Sequence, residues 1–115
     1  MASFVKELTT TDVGSMLVIP VPFMNNMPQI QGGHSIHITV SDAGGREWNF
    51  GYYVRANQNP RPVLRSGWCH YVREKGLRVG DRIIFQCLEG FPLRYWIGAR
   101  RRVTILGQEV WTNEF

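Results

Sequence analysis

Polar and apolar positions alternate with a period of two in several separate stretches of the chain. The clearest stretch follows Gly32 and Gly33, where Ile36, Ile38 and Val40 face one way and Ser35, His37 and Thr39 the other. The sequence DAGG at 42–45 supplies a hairpin turn, and Trp48, Phe50, Tyr52 and Val54 then alternate with Asn49, Gly51, Tyr53 and Arg55. One face of this hairpin is expected to be core and the other wet. Shorter runs at 4–9 and 17–20 predict two earlier strands, the second stopped by Pro20. Thr9, Thr10, Thr11 and Asp12 read as a turn rich in capping side chains, and one helical turn is expected over 22–27.

A helical period appears after residue 66. Ser66 stands where an N-cap belongs, and Trp68, Tyr71 and Val72 fall at i, i+3 and i+4 on one face. Lys75 suits the last turn, Gly76 the left-handed conformation that ends a helix, and Leu77 the hydrophobic contact back. A turn at Gly80 and Asp81 leads into a strand over 82–88 with Ile83, Phe85 and Cys87 on one side. A last strand over 94–105 carries Tyr95, Ile97, Val103 and Ile105 on one parity and is interrupted by Arg100, Arg101 and Arg102. The polar stretch ANQNPRP at 56–62 has no apolar anchor and belongs at the surface. About seven short strands and two short helices predict a mainly β fold, a small closed or nearly closed barrel.

The length of 115 residues fits one domain, and 43% apolar with 19% charged residues argues against disorder. Cys69 and Cys87 have neither CxxC spacing nor a secreted-type framework, so reduced structural thiols are expected. No apolar run approaches the length needed to span a bilayer, and MASFVKEL lacks the basic start and apolar segment of a signal peptide. An intracellular, non-membrane protein follows, with Met1 read as a natural start. The net charge is +4, and twelve of the thirteen cations fall between residues 46 and 102. Eleven of the thirteen are arginine, the side chain suited to bidentate phosphate or guanine contacts. The pattern favours a polyanionic partner; a solvated basic surface is the bland alternative.

Catalytic readings fail for want of parts. His34 and His37 lie three apart on a strand, hence on opposite faces, with no Cys or acid at metal-ligand spacing. Cys69 and His70 are neighbours on a helix and point about 100° apart. No phosphate loop, dinucleotide fingerprint or paired acidic motif is present. No catalytic residue, metal, cofactor or small-molecule substrate is therefore predicted, and a binding module remains.

The run VLRSGWCHYVREKGLRVGDRIIF at 63–85, with FVKELTTTDVG, LVIP and DAGGREWNF before it in that order, closely resembles the B3-type DNA-binding domain of plant transcription factors. That superfamily includes auxin response factors and abscisic-acid-insensitive-type regulators. The resemblance covers about residues 4–105, leaving a short tail at 106–115 in a single domain of residues 1–115. It implies a seven-stranded open pseudobarrel with two short helices, and a non-catalytic nuclear regulator of transcription that reads double-stranded DNA in the major groove. In the family two arms grip the DNA, the loop between the first two strands and the loop between the fourth and fifth. The second arm maps onto residues 55–65. Asn57 falls where several relatives place a base-reading asparagine, and Arg61 where the auxin-response branch places an arginine; Gln58 and Asn59 lie beside them. Asn can bond adenine N6 and N7 together and Arg guanine O6 and N7. A turn-shaping role for Asn57 and Asn59 stays open. Arg55, Arg65, Lys6, Ser15, Arg100 and Arg102 are the expected backbone contacts, the arginine run also reading as a solvated charge cluster.

The first arm departs from the family pattern. Relatives commonly carry basic residues between DVG and LVIP and a lysine after the proline, whereas this chain has only Ser15 and Met16, then Val21. Lower affinity and a flatter salt dependence are expected from that shorter, uncharged arm. A barrel that keeps the fold but binds other proteins, using Trp96 and Trp111, is the alternative reading.

Overall fold

The computed structural model describes residues 2–56, 59, 61–88, 90 and 93–115. Asn57 and Gln58 lie outside the described residues. The strands are β1 (Ala2–Glu7), β2 (Leu17–Val18), β3 (Ser35–Asp42), β4 (Glu47–Val54), β5 (Pro62–Leu64), β6 (Arg82–Leu88), β7 (Arg94–Arg100), β8 (Arg102–Ile105) and β9 (Gln108–Trp111). The helices are α1 (Thr10–Gly14), a 3-10 helix (Val21–Asn26) and α2 (Trp68–Lys75). Seven strands form one sheet in the order β1-β6-β7-β3-β4-β5-β2, curled into an open half-barrel. Every junction is antiparallel except β3 with β7.

Alternation explains which faces meet inside. Trp48, Phe50, Tyr52 and Val54 of β4 are buried, as are Ile83, Phe85 and Cys87 of β6 and Tyr95, Ile97 and Ala99 of β7. Helix α2 lays Trp68, Tyr71 and Val72 onto this layer. Trp68 stacks on Tyr71 with ring centres 5.4 Å apart, and Tyr71 meets Trp48 edge-on at 5.0 Å. A second aromatic cluster of Phe4, Phe23 and Phe85 ties the 3-10 helix to β1 and β6. Gly76 ends α2 at φ 64°, and the Leu77 N–H returns to the Val72 carbonyl at 2.9 Å, closing the expected C-cap.

Several expectations need correction. Residues Thr10–Gly14 form a helix rather than a turn, because Thr9 and Asp12 make a reciprocal capping box. Ser66 does not cap α2. The Gly51 N–H donates to the Ser66 carbonyl at 2.9 Å, so Ser66 is tied to β4 just past the end of β5, and its hydroxyl lies 3.3 Å from His37 Nε2. Gly67 takes the N-cap position at φ 80°, where a side chain would run into the Asn49 carbonyl. Ile36 is 43% exposed because β7 pairs with β3 only at Val40, Ser41 and Asp42. The last strand is two: the chain breaks at Arg101, and β8 turns away to pair with the unforeseen β9, leaving Ile105 exposed. The tail then returns, since Phe115 exchanges both backbone bonds with Ala99.

Candidate nucleic-acid interface

The segment between β1 and β2 is short, and a single buried carboxylate shapes it. Asp12 Oδ2 accepts from the Thr9 N–H at 2.8 Å, while Oδ1 accepts from Lys6 Nζ at 2.8 Å and the Val18 N–H at 3.1 Å. Burial opposes the charge, but bonds from Lys6 and the Thr9 and Val18 amides outweigh it and hold the carboxyl below its ordinary pKa. The Asp12 carbonyl also accepts from Trp68 Nε1 at 2.7 Å, and Cys69 Sγ lies 3.2 Å from the Ser15 carbonyl. Helix α2 therefore braces the first arm. Lys6 also donates to the Val18 carbonyl at 2.8 Å, so its ammonium belongs to this frame, while Ser15 is exposed at the arm's end.

The second arm leaves β4 beside the glycine pair that precedes β3. The Gly33 N–H donates to the Val54 carbonyl at 2.7 Å, and a side chain at Gly32 would press on the Ala56 backbone. Arg55, Ala56, Asn59 and Arg61 are all exposed. On the outward parity of β4, the Arg65 guanidinium sits 3.8 Å over the Tyr53 ring.

Between the arms runs a groove of about 420 Å³, lined by Thr11, Met16 and Val18 on one side and by Tyr53, Arg55, Arg61, Val63 and Arg65 on the other. Among the described residues no carboxylate pairs with Arg55, Arg61 or Arg65. A larger concavity of about 650 Å³ near Leu88 and Tyr95 holds one arginine, Arg94, and one glutamate, Glu47. Only the first of these carries an excess of positive charge suited to a polyanion.

Of the residues expected to bind, the structure brings Arg55, Arg61 and Arg65 together in the groove, with Ser15 adjoining Met16. Arg100 and Arg102 lie elsewhere. Arg100 donates to Glu114 at 2.9 Å, and Arg102 sits between Glu7 at 3.8 Å and Glu109 at 3.7 Å. Trp111 is covered by Arg82 at 3.9 Å, and Trp96 folds over Gly98, so neither is a free anchor. Sequence reasoning did not single out Tyr53, Val18 or Val63. The outward parity of β4 carried the signal for Tyr53, since it shares that face with Arg55.

A model of the B3 DNA binding domain matches residues 4–103. The chain belongs to the B3 DNA-binding domain family. The AP2/ERF and B3 domain-containing transcription factor RAV1 of Arabidopsis thaliana is 32% identical over 111 residues, covering 88% of this chain and 31% of that protein. The B3 domain-containing protein Os11g0156000 of Oryza sativa subsp. japonica is 36% identical over 109 residues, covering 86% and 38%. The chain thus spans about a third of the length of these curated relatives. Solved structures that share its fold include an Arabidopsis FUS3-DNA complex at TM-score 0.72 and 27% identity, covering 85% of this chain and 95% of that one, and the complex of Arabidopsis thaliana transcription factor LEC2 with DNA, at 0.72 and 25%, covering 83% and 88%.

Proposed function

We propose that this chain binds double-stranded DNA through the groove between its two arms, as the DNA-reading part of a plant nuclear regulator of transcription. The observation that carries this reading is the meeting of Arg55, Arg61 and Arg65 on one concave face without a carboxylate among the described residues to neutralise them. Phosphate contacts position a protein on the duplex and base-edge contacts specify the site. In this reading Arg65, stacked on Tyr53, and Arg55, at the root of the second arm, hold phosphates. Arg61, exposed on the second arm, takes the base-reading role toward guanine O6 and N7, with Asn57, Gln58 and Asn59 of the same arm sharing the readout. Ser15 adds a hydroxyl from the first arm. Lys6 acts through the frame it holds rather than by reaching the duplex, and Arg100 and Arg102 reach phosphate only by releasing their acidic partners.

Selection from random duplex DNA at physiological salt, followed by sequencing of the bound pool, tests the reading. A short enriched site is expected. Retention without enrichment would reduce the function to backbone binding, and no retention at all would overturn it in favour of a protein-binding barrel.

A further inference from the structure

The groove between the arms has two chemically unlike walls, one carrying three arginines and the other presenting two apolar side chains beside Thr11. Met16 and Val18 line the same space as the three arginines, with Val63 beneath. Both Met16 and Val18 are half-buried, and their backbone is held in place. The Met16 N–H donates to the Thr11 carbonyl at 3.2 Å, Cys69 holds the Ser15 carbonyl, and Val18 is bonded through both backbone groups to Asp12 and Lys6. The first arm itself carries no cation, and Lys6 of β1, which holds its frame, is committed to Asp12. Thr11 at the rim offers a hydroxyl, but a phosphate set against Met16 and Val18 themselves would lose water and gain no partner there.

The base edges of the major groove display a single kind of apolar group, the 5-methyl of a pyrimidine. Thymine carries it, and so does methylated cytosine. Resting on the DNA-binding reading above, we propose that the groove selects a pyrimidine 5-methyl group, seated against Met16 and Val18, beside a guanine bonded by Arg61. The uncharged first arm is then a reader of a different chemistry rather than a weakened phosphate clamp. Arg61 across the groove supplies the polar half of the contact, and the braced arm supplies the apolar half.

The test uses the duplex that emerges from random selection. Each thymine is replaced singly by deoxyuridine, which removes only the methyl, and each cytosine by 5-methylcytosine, which adds one; affinities are read by fluorescence anisotropy at fixed salt. At one position the chain is expected to lose about fourfold on deoxyuridine, if thymine supplies the group, or to gain about fourfold on 5-methylcytosine, if methylated cytosine does, the scale of one buried methyl. Met16→Ser erases that difference and Met16→Leu keeps it, with thermal melts of both variants reporting that the arm still folds. Affinity indifferent to every methyl change would overturn the inference while leaving DNA binding intact. A methyl effect that survives both Met16→Ser and Val18→Ser would overturn the assignment to this wall. Absence of any bound duplex would remove the DNA-binding reading and this inference with it.

Discussion

Two clusters of arginine in this chain are set in opposite ways. Arg55, Arg61 and Arg65 converge on a concave face with no acid among the described residues to pair with them. Arg100, Arg101 and Arg102 are denser in sequence, yet each has a carboxylate: Glu114 at 2.9 Å, Asp81 at 2.8 Å, and Glu7 and Glu109 at 3.8 and 3.7 Å. A paired cation contributes little field beyond its partner, so attraction of a polyanion depends on unpaired charge rather than on local charge density. The sparser cluster is the one the proposed function uses. The denser one fixes the break between β7 and β8, where Arg101 donates to both Asp81 oxygens and to the Gly76 carbonyl, joining the strand end to the end of α2.

Asp12→Ala breaks the frame of the groove and has the largest expected effect. It strands Lys6 and leaves the Thr9 and Val18 amides without their acceptor, which should cost about 3–5 kcal/mol in urea unfolding. A loss below about 1 kcal/mol would show that the first arm does not depend on this carboxylate. The same carboxyl, together with Asp42, gives the pH dependence. Burial opposes the Asp42 charge, but bonds from Trp48, Lys75 and the Arg46 amide outweigh it, so both groups titrate below 3.8 in the folded chain. The unfolded chain then binds protons first as pH falls, so their contribution to stability is full above about pH 5 and is lost through and below pH 4. Melting temperatures measured between pH 3 and 7 check this; a flat profile would contradict it.

Arg101→Ala sharpens the contrast from the other side. It removes charge-assisted bonds to Asp81 and should cost about 1.5–3 kcal/mol of stability, while the DNA sequence enriched from a random pool stays the same. Arg61→Ala is expected to do the reverse. Stability holds, the preferred site weakens by about 1–3 kcal/mol and one base position relaxes. Arg65→Ala should weaken preferred and random duplexes alike, because a phosphate contact carries no sequence information. Equal losses on both kinds of DNA for both variants would sink the division of labour between them.

The sheet was legible in the sequence because its strands alternate cleanly, and α2 because three large side chains fall on one face between cap-compatible ends. The 3-10 helix was legible from the prolines that bracket it. What the local pattern did not carry depends on contacts far apart in the chain. Ser66 has every local attribute of an N-cap, but its backbone is claimed by Gly51 fifteen residues earlier. Asp12 reads as a capping residue, and nothing near it announces the Trp68 indole 56 residues on. Ile105 keeps the inward parity of Tyr95 and Ile97, yet the break at Arg101 removes β8 from the sheet. For the candidate interface, residue type pointed to the arginines that line the groove, whereas availability depends on the acids that Arg100 and Arg102 meet on β1, on β9 and in the tail.

The salt dependence of DNA binding tests the contrast most directly. Each neutralised phosphate contributes about 0.9 to the slope of log affinity against log salt. Arg55→Gln with Arg65→Gln should flatten the slope by about 2, and Arg100→Gln with Arg102→Gln by less than about 0.5. Equal flattening by the two pairs, or a larger change from the second, would contradict the account and move the phosphate-binding surface to the strand break.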